Sequence, residues 1–195
     1  MAALTKDEFS FEGKHYAFKN VPMTLRPVQR PHPPLWYGII SPDTAAWAAA
    51  NSVNVLSLGL PPQARAITDR YRIEWAKLGC AASEIPLMGI SRHVVVARDD
   101  ASALASARRA YPKWRDSFNY LWRKYAPDAK RSPVAAVYPE SFDELQAIGN
   151  GCAGSPQTVR RFIAEQVDSC GVNYMGAWLA FGDLTLSESL LSAEM

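Results

Sequence analysis

Four short apolar runs, each followed by residues at helical spacing, constrain this chain more than any other feature. The runs lie near 35–40, 54–58, 90–97 and 173–180. Between them come stretches with apolar residues three and four apart, which is the period of an amphipathic helix. Strand and helix in alternation predict βα units and a parallel sheet, an α/β fold. A closed parallel barrel takes eight strands and about 250 residues. This chain has 195 residues and half that strand count.

Local signals set the elements in order. Phe9, Phe11, Tyr16 and Phe18 alternate with polar residues around Gly13, which predicts a short N-terminal β-hairpin with cross-strand aromatic pairs. Residues 26–34 are proline-rich and read as an extended connector. Leu35–Ile40 reads as a buried strand. Ser41 and Pro42 then open a helix running to Asn51, with Ser41 as N-cap and Pro42 at the first helical position. Asn54–Leu58 is the next strand. Pro61–Gly79 is a helix with Ile67, Tyr71, Ile73, Trp75 and Leu78 as its apolar residues.

A third strand is clearest at His93–Ala97. Asp99 and Asp100 suit the positive start of the following helix. That helix carries Leu104, Ala107, Tyr111, Trp114, Phe118, Leu121 and Tyr125, and Pro112 should kink or divide it. Residues 126–139 read as irregular. Ser141–Ile148 is a short helix, Gly149–Gly154 a flexible loop, and Pro156–Cys170 a helix capped by Ser155 and ended by Gly171. Val172–Phe181 is the fourth strand, and Leu184–Glu194 closes the chain as a helix. The whole reads as a single domain, with hairpin residues 1–23 and βα units over 34–195.

Composition narrows the function classes. A net charge of +2 provides no polyanion footprint, so nucleic acid is not an implied partner. No run has the length of a membrane span and the N-terminus lacks an apolar signal core, so a cytoplasmic protein is expected. Cys80, Cys152 and Cys170 form no CxxC, and His15, His32 and His93 fall in no ligand spacing. No metal site is expected. Gly149–Gly154 matches GxGxxG, but a helical stretch precedes it where a dinucleotide fingerprint needs a strand. It reads as a connector.

The sharper candidate is Ser41-Pro42-Asp43-Thr44. The first turn of a helix leaves N–H groups unpaired and sits at the positive end of the dipole. A phosphate there could accept from the Ser41 and Thr44 N–H groups and from both hydroxyls. Plain capping by Ser41 explains the same residues without a ligand, and Asp43 counts slightly against an anion.

The run Phe11, Gly13, Tyr16, Phe18, then Pro27–Gly38, then Ser41-Pro42 with Ala46–Ala49, resembles the luciferase-like flavin-dependent monooxygenases. Val95–Ala97, Gly154–Pro156 and Phe181–Asp183 continue the resemblance. It implies the C-terminal half of a TIM (β/α)8 barrel, in a chain truncated at its N-terminus. It also implies FMN as cofactor, ahead of the deazaflavin F420, with reduced flavin activating O2 to oxygenate a small organic substrate. By position the resemblance assigns flavin-phosphate contacts to Ile40, Ser41 and Thr44, and assigns no catalytic residue. Its partners would be flavin, a small-molecule substrate, and either a homo-oligomer or a separate N-terminal half. The alternative is a non-catalytic remnant or subunit that binds flavin weakly.

Overall fold

A computed structural model describes residues 2–125 and 138–195. The chain divides into two compact units, Met1–Leu35 and Trp36–Met195. In the first unit, a one-turn helix α1 (Ala2–Thr5) precedes strands β1 (Glu8–Glu12) and β2 (Ala17–Pro22). They pair antiparallel, with Phe11 opposite Phe18, and the turn closes through Gly13 N–H donating to the Tyr16 carbonyl at 2.9 Å. The expected hairpin is present.

The second unit carries the parallel sheet. Its strands are β3 (Trp36–Gly38), β4 (Asn54–Ser57), β5 (Met88–Val96), β6 (Gly151–Gly154) and β7 (Tyr174–Trp178). The helices are α2 (Ala45–Ala50), α3 (Pro61–Lys77), α4 (Asp100–Tyr125), α5 (Phe142–Ala147), α6 (Pro156–Cys170) and α7 (Leu186–Glu194). All pairings in this sheet are parallel: β3 with β4, β4 with β5, and β5 with both β6 and β7. Every residue of β5 is buried. His93 is paired on both sides, to Gly151 and to Trp178.

Register assigns the faces, because residues directly opposite in a ladder point the same way. Tyr37, Val55, Met88, Ile90, Arg92 and Val94 share one face. Ile39, Val55 and Met88 pack there with Ala45, Ala48, Ile67, Tyr71 and Trp75 of α2 and α3. Ile90 packs with Ala64 and Cys170, and Val94 with Cys152 and Val159 of α6. The other face carries Trp36, Leu56, Gly89, Ser91, His93, Val95, Tyr174 and Trp178. Its far end, at Val95 and Ala153, is covered by Ala103, Ala107, Ala110 and Tyr111 of α4 and by Phe142 and Leu145 of α5.

Several expectations change. Gly149–Gly154 is not a flexible loop: Gly151–Gly154 is a fully buried strand beside His93–Val96. Its small residues hide it, since a β-branched or aromatic run is the usual strand signal. They are small because neighbours press close. A Cβ on Gly151 would stand 2.8 Å from the Leu145 side chain, and one on Gly154 would stand 2.6 Å from Thr158. Pro112 does not divide α4, which runs unbroken from Asp100 to Tyr125. Ile73 and Leu78, named among the apolar residues of the 61–79 helix, are each more than half exposed, as are Leu121 and Tyr125. The stretch 126–137 within the expected irregular segment lies outside the described residues.

The caps expected at Ser155 and Gly171 are present, and two further ones appear. Ser155 accepts from the Thr158 N–H at the start of α6, and Gly171 ends it at φ 62° in the left-handed region. Ser141 with Glu144 and Thr185 with Glu188 form capping boxes on α5 and α7. The Ser192 hydroxyl of α7 accepts from the Val96 N–H at 3.0 Å and donates to the Val96 carbonyl at 3.1 Å. One side chain thus satisfies the edge of β5 past the last β7 pairing.

Candidate functional site

The site starts at the C-terminal end of β3. Ile39 is buried under α2 and α3, and its N–H donates to the Leu56 carbonyl at 3.0 Å. The next residue, Ile40, is 70% exposed, and its carbonyl accepts from Gln63 Nε2 at 2.8 Å. From there the chain turns through a 3-10 segment, Pro42–Thr44, before α2 begins at Ala45. The expected helix over 42–51 is therefore a 3-10 turn followed by six α-helical residues.

Ser41 and Thr44 lie together, as expected, but their polar groups are turned inward. The Ser41 hydroxyl accepts from the Asp43 N–H at 3.2 Å and donates to Asp43 Oδ2 at 3.1 Å. The Thr44 hydroxyl donates to the Ser41 carbonyl at 3.0 Å, and the Thr44 N–H donates to the same carbonyl at 3.3 Å. Capping alone accounts for these bonds. A phosphate at this turn would need both hydroxyls to rotate outward, which rotors of this kind do readily. The donor set then suits a phosphate, while the Asp43 carboxylate opposes it. Gly38 adds room, since a Cβ there would meet no atom within 4 Å.

Both faces of β3 are aromatic. Trp36 and Tyr174 meet at 4.9 Å between centroids, and Tyr37 meets Trp47 edge-on at 5.3 Å. Farther along the same face as Trp36 lies a feature that spacing did not reveal. His93 is 1% exposed and ringed by Trp114 at 4.2 Å, Trp178 at 4.6 Å, Phe181 at 4.9 Å, Tyr138 at 5.7 Å and Tyr111 at 5.8 Å. Its Nε2 has no hydrogen-bond partner among the described residues. Burial among these rings lowers its pKa from 6.5 to about 3, so the ring is neutral. The available signal was the apolar run around it, Val94–Ala97.

Among the described residues, no cluster of His, Cys, Asp and Glu could hold a metal ion. Cys152 and Cys170 are buried free thiols and Cys80 is exposed. Burial raises the Cys152 thiol to about 11, which keeps it protonated and unreactive. No described helix is long and apolar enough to cross a membrane.

Residues 1–174 match the luciferase-like monooxygenase family. The chain belongs to that family. It is 35% identical over 193 residues to the uncharacterized protein y4wF of Sinorhizobium fredii, covering 99% of this chain and 55% of that protein. The monooxygenase RslO1 of Streptomyces bottropensis superposes with a TM-score of 0.70 at 20% identity, over 99% of this chain and 55% of RslO1. The oxygenating constituent of 3,6-diketocamphane monooxygenase from Pseudomonas putida, solved with FMN, gives 0.58 at 18% identity, over 91% and 53%. The two solved structures share the α/β fold of parallel βα units. The chain spans about half the length of each of these relatives.

Proposed function

We propose that this chain forms part of an FMN-dependent monooxygenase, with Ile40, Ser41 and Thr44 holding the flavin phosphate. One observation carries the reading. The three residues occupy the turn after β3, at the C-terminal end of a parallel strand, which is where α/β enzymes collect ligands. FMN is placed ahead of F420 on the sequence resemblance alone, since neighbours of similar TM-score include one in complex with FMN and one in complex with an F420-acetone adduct.

When bound and reduced, the flavin supplies the electrons that activate O2 for oxygenation of a small organic substrate. The chain's own residues bind and orient. The Ser41 hydroxyl, now on Asp43, and the Thr44 hydroxyl, now on the Ser41 carbonyl, would hold the flavin phosphate by donating to it. Gln63 keeps the Ile40 carbonyl occupied, which fixes the direction of the turn. Trp36 and Tyr37 supply aromatic surface beside it. The proposed setting is the C-terminal half of a TIM barrel in the cytoplasm. The proposed partners are flavin, substrate, and either a homo-oligomer or a separate N-terminal half.

A second reading is a subunit or remnant that binds flavin weakly and catalyses nothing alone. It is favoured by the outer edges of β3 and β7, which pair with no further strand among the described residues. Titrating the protein with FMN and following flavin fluorescence tests the first reading. Ser41→Ala with Thr44→Ala should weaken binding tenfold or more, roughly the worth of one or two charge-assisted hydrogen bonds. Absence of binding at high micromolar FMN favours the second reading. Unchanged affinity in the double variant reduces both residues to capping groups.

A further inference from the structure

We propose that Phe181–Gly182–Asp183, with Glu188 behind it, is an ionic strap across α4 that holds this helix over His93 and releases it as ionic strength rises. Phe181–Asp183 has no part in the proposed flavin site, and the strap does not depend on that reading. The three residues lie between β7 and α7, beyond the C-terminal end of a sheet strand. Loops at that end are the ones from which α/β proteins build their sites.

Each residue of the strap holds in its own way. Phe181 is buried, with its ring 4.9 Å from His93 and 6.5 Å from Phe142. Gly182 sits at φ 60° and lies directly on the helix backbone. A Cβ there would overlap the Ala110 carbonyl oxygen and stand 2.7 Å from its carbon. The obstacle is main chain, so no rotamer relieves it and glycine alone fits. Asp183 then accepts from Lys113 Nζ at 2.5 Å and from Arg109 Nε at 3.3 Å. In the first turn of α7, Glu188 accepts from Arg109 Nη2 at 2.8 Å and from the Ser106 hydroxyl at 3.0 Å. Ser106, Arg109, Ala110 and Lys113 are spaced three and four apart, so they form one stripe along α4. The loop and the start of α7 run along that stripe.

The two sides of α4 are held by different forces. On the sheet side the hold is apolar: Ala103, Ala107 and Tyr111 are buried there, and Trp114 lies 4.2 Å from His93. His93 Nε2 gains no hydrogen bond from this packing among the described residues. On the strap side two cations meet two carboxylates, with side chains 28% to 64% exposed. Salt distinguishes the two sides, because the screening length falls from about 10 Å at 0.1 M to about 3 Å at 1 M. One exposed pair is worth little, but Arg109 bridges both carboxylates and joins the pairs into a network. Screening removes the ionic part of the hold and leaves Phe181 and Gly182. Opening then uncovers the aromatic cluster at the ends of β5 and β7.

The test is hydrogen exchange of the 195-residue chain, read by mass spectrometry at about 0.05 M and about 1 M sodium chloride. Peptides over 103–115 and 181–188 should exchange about tenfold faster at high salt, while β5 is unchanged. Asp183→Asn should bring the faster exchange to low salt and abolish the salt response. Gly182→Ala should open the strap at both salt concentrations, and if that variant does not fold, Asp183→Asn decides alone. Asp143→Asn removes the pair that joins Arg108 to α5 at 2.6 Å, and it should leave the salt response of 181–188 intact. Exchange that is insensitive to salt overturns the proposal, as does a rise in β5 of equal size, which is global unfolding. A full salt response in Asp183→Asn overturns it too.

Discussion

Strand β5 and the marginal strands β3 and β7 belong to one sheet but live in different environments. Met88–Val96 is buried at all nine positions, with neighbours on both edges and helices on both faces. Trp36–Gly38 is exposed at all three, and β7 buries none of its five. Apolar content does not explain the difference, since the buried central strand carries Ser91, Arg92 and His93 while neither marginal strand has a charged residue. What differs is lateral pairing: a parallel strand is normally covered on both faces and both edges, and here only the centre is. The centre therefore carries stability, while the turn after β3 carries the residues proposed for binding.

Substitutions at the centre and at the margin should separate this most sharply. Ile90→Ala removes a fully buried side chain and should cost about 2–5 kcal/mol in urea unfolding. Trp36→Ala removes a larger side chain but a half-exposed one, and should cost less than about 1.5 kcal/mol in the isolated chain. Equal costs would break the comparison.

Acid should act on the centre first. His93 is held neutral with a pKa of about 3, below its unfolded value of 6.5. The unfolded state therefore binds the extra proton. Stability is full above pH 6.5 and falls by about 1.4 kcal/mol per unit as pH drops from there towards 3. Unfolding at pH 7, 5.5 and 4.5 measures the slope. His93→Phe keeps a ring in the cluster and should flatten it. From pH 4.5 downward, overlapping that window, Glu188 contributes in the same direction. Its hydrogen bond from Arg109 holds it at about 2, so its stabilisation is lost as pH falls through that value.

A matched pair of caps refines the picture. Ser141→Ala and Thr185→Ala each break a capping box, worth about 1 kcal/mol. Helix α5 buries Phe142 and Leu145 against the central strands, so its loss should appear in global unfolding. Helix α7 buries Ser192, and its cap should mainly increase local fraying, seen as faster amide exchange over 186–194. The smallest effect belongs to Asp43. Its carboxylate engages the Ser41 hydroxyl and would face a bound phosphate. Asp43→Asn should tighten FMN binding a few-fold by fluorescence titration, the scale of one exposed charge.

The alternation of apolar runs with amphipathic stretches made the parallel sheet legible, and caps such as Ser155 and Gly171 made the helix ends legible. Strand β6 was not, because close packing against Leu145 and Thr158 excludes the side chains by which strands are recognised. The outward turn of Ile73 and Leu78 was hidden too, since periodicity marks a stripe but not how much of it a neighbour covers. For the site, the Ser-Pro turn was legible as a helix start. Its inward bonds through Asp43 and the Ser41 carbonyl were not, because they depend on a 3-10 turn that propensity does not distinguish from an α-helical one. His93 could be read as structural, but its five aromatic neighbours come from segments up to 88 positions apart in sequence, 181 less 93.

Hydrogen exchange on the isolated chain tests the division between centre and margin most directly. The account predicts that β5 amides exchange only through global unfolding, while those of Trp36–Gly38 and Tyr174–Trp178 exchange orders of magnitude faster through local opening. Equal protection of all three strands would contradict it.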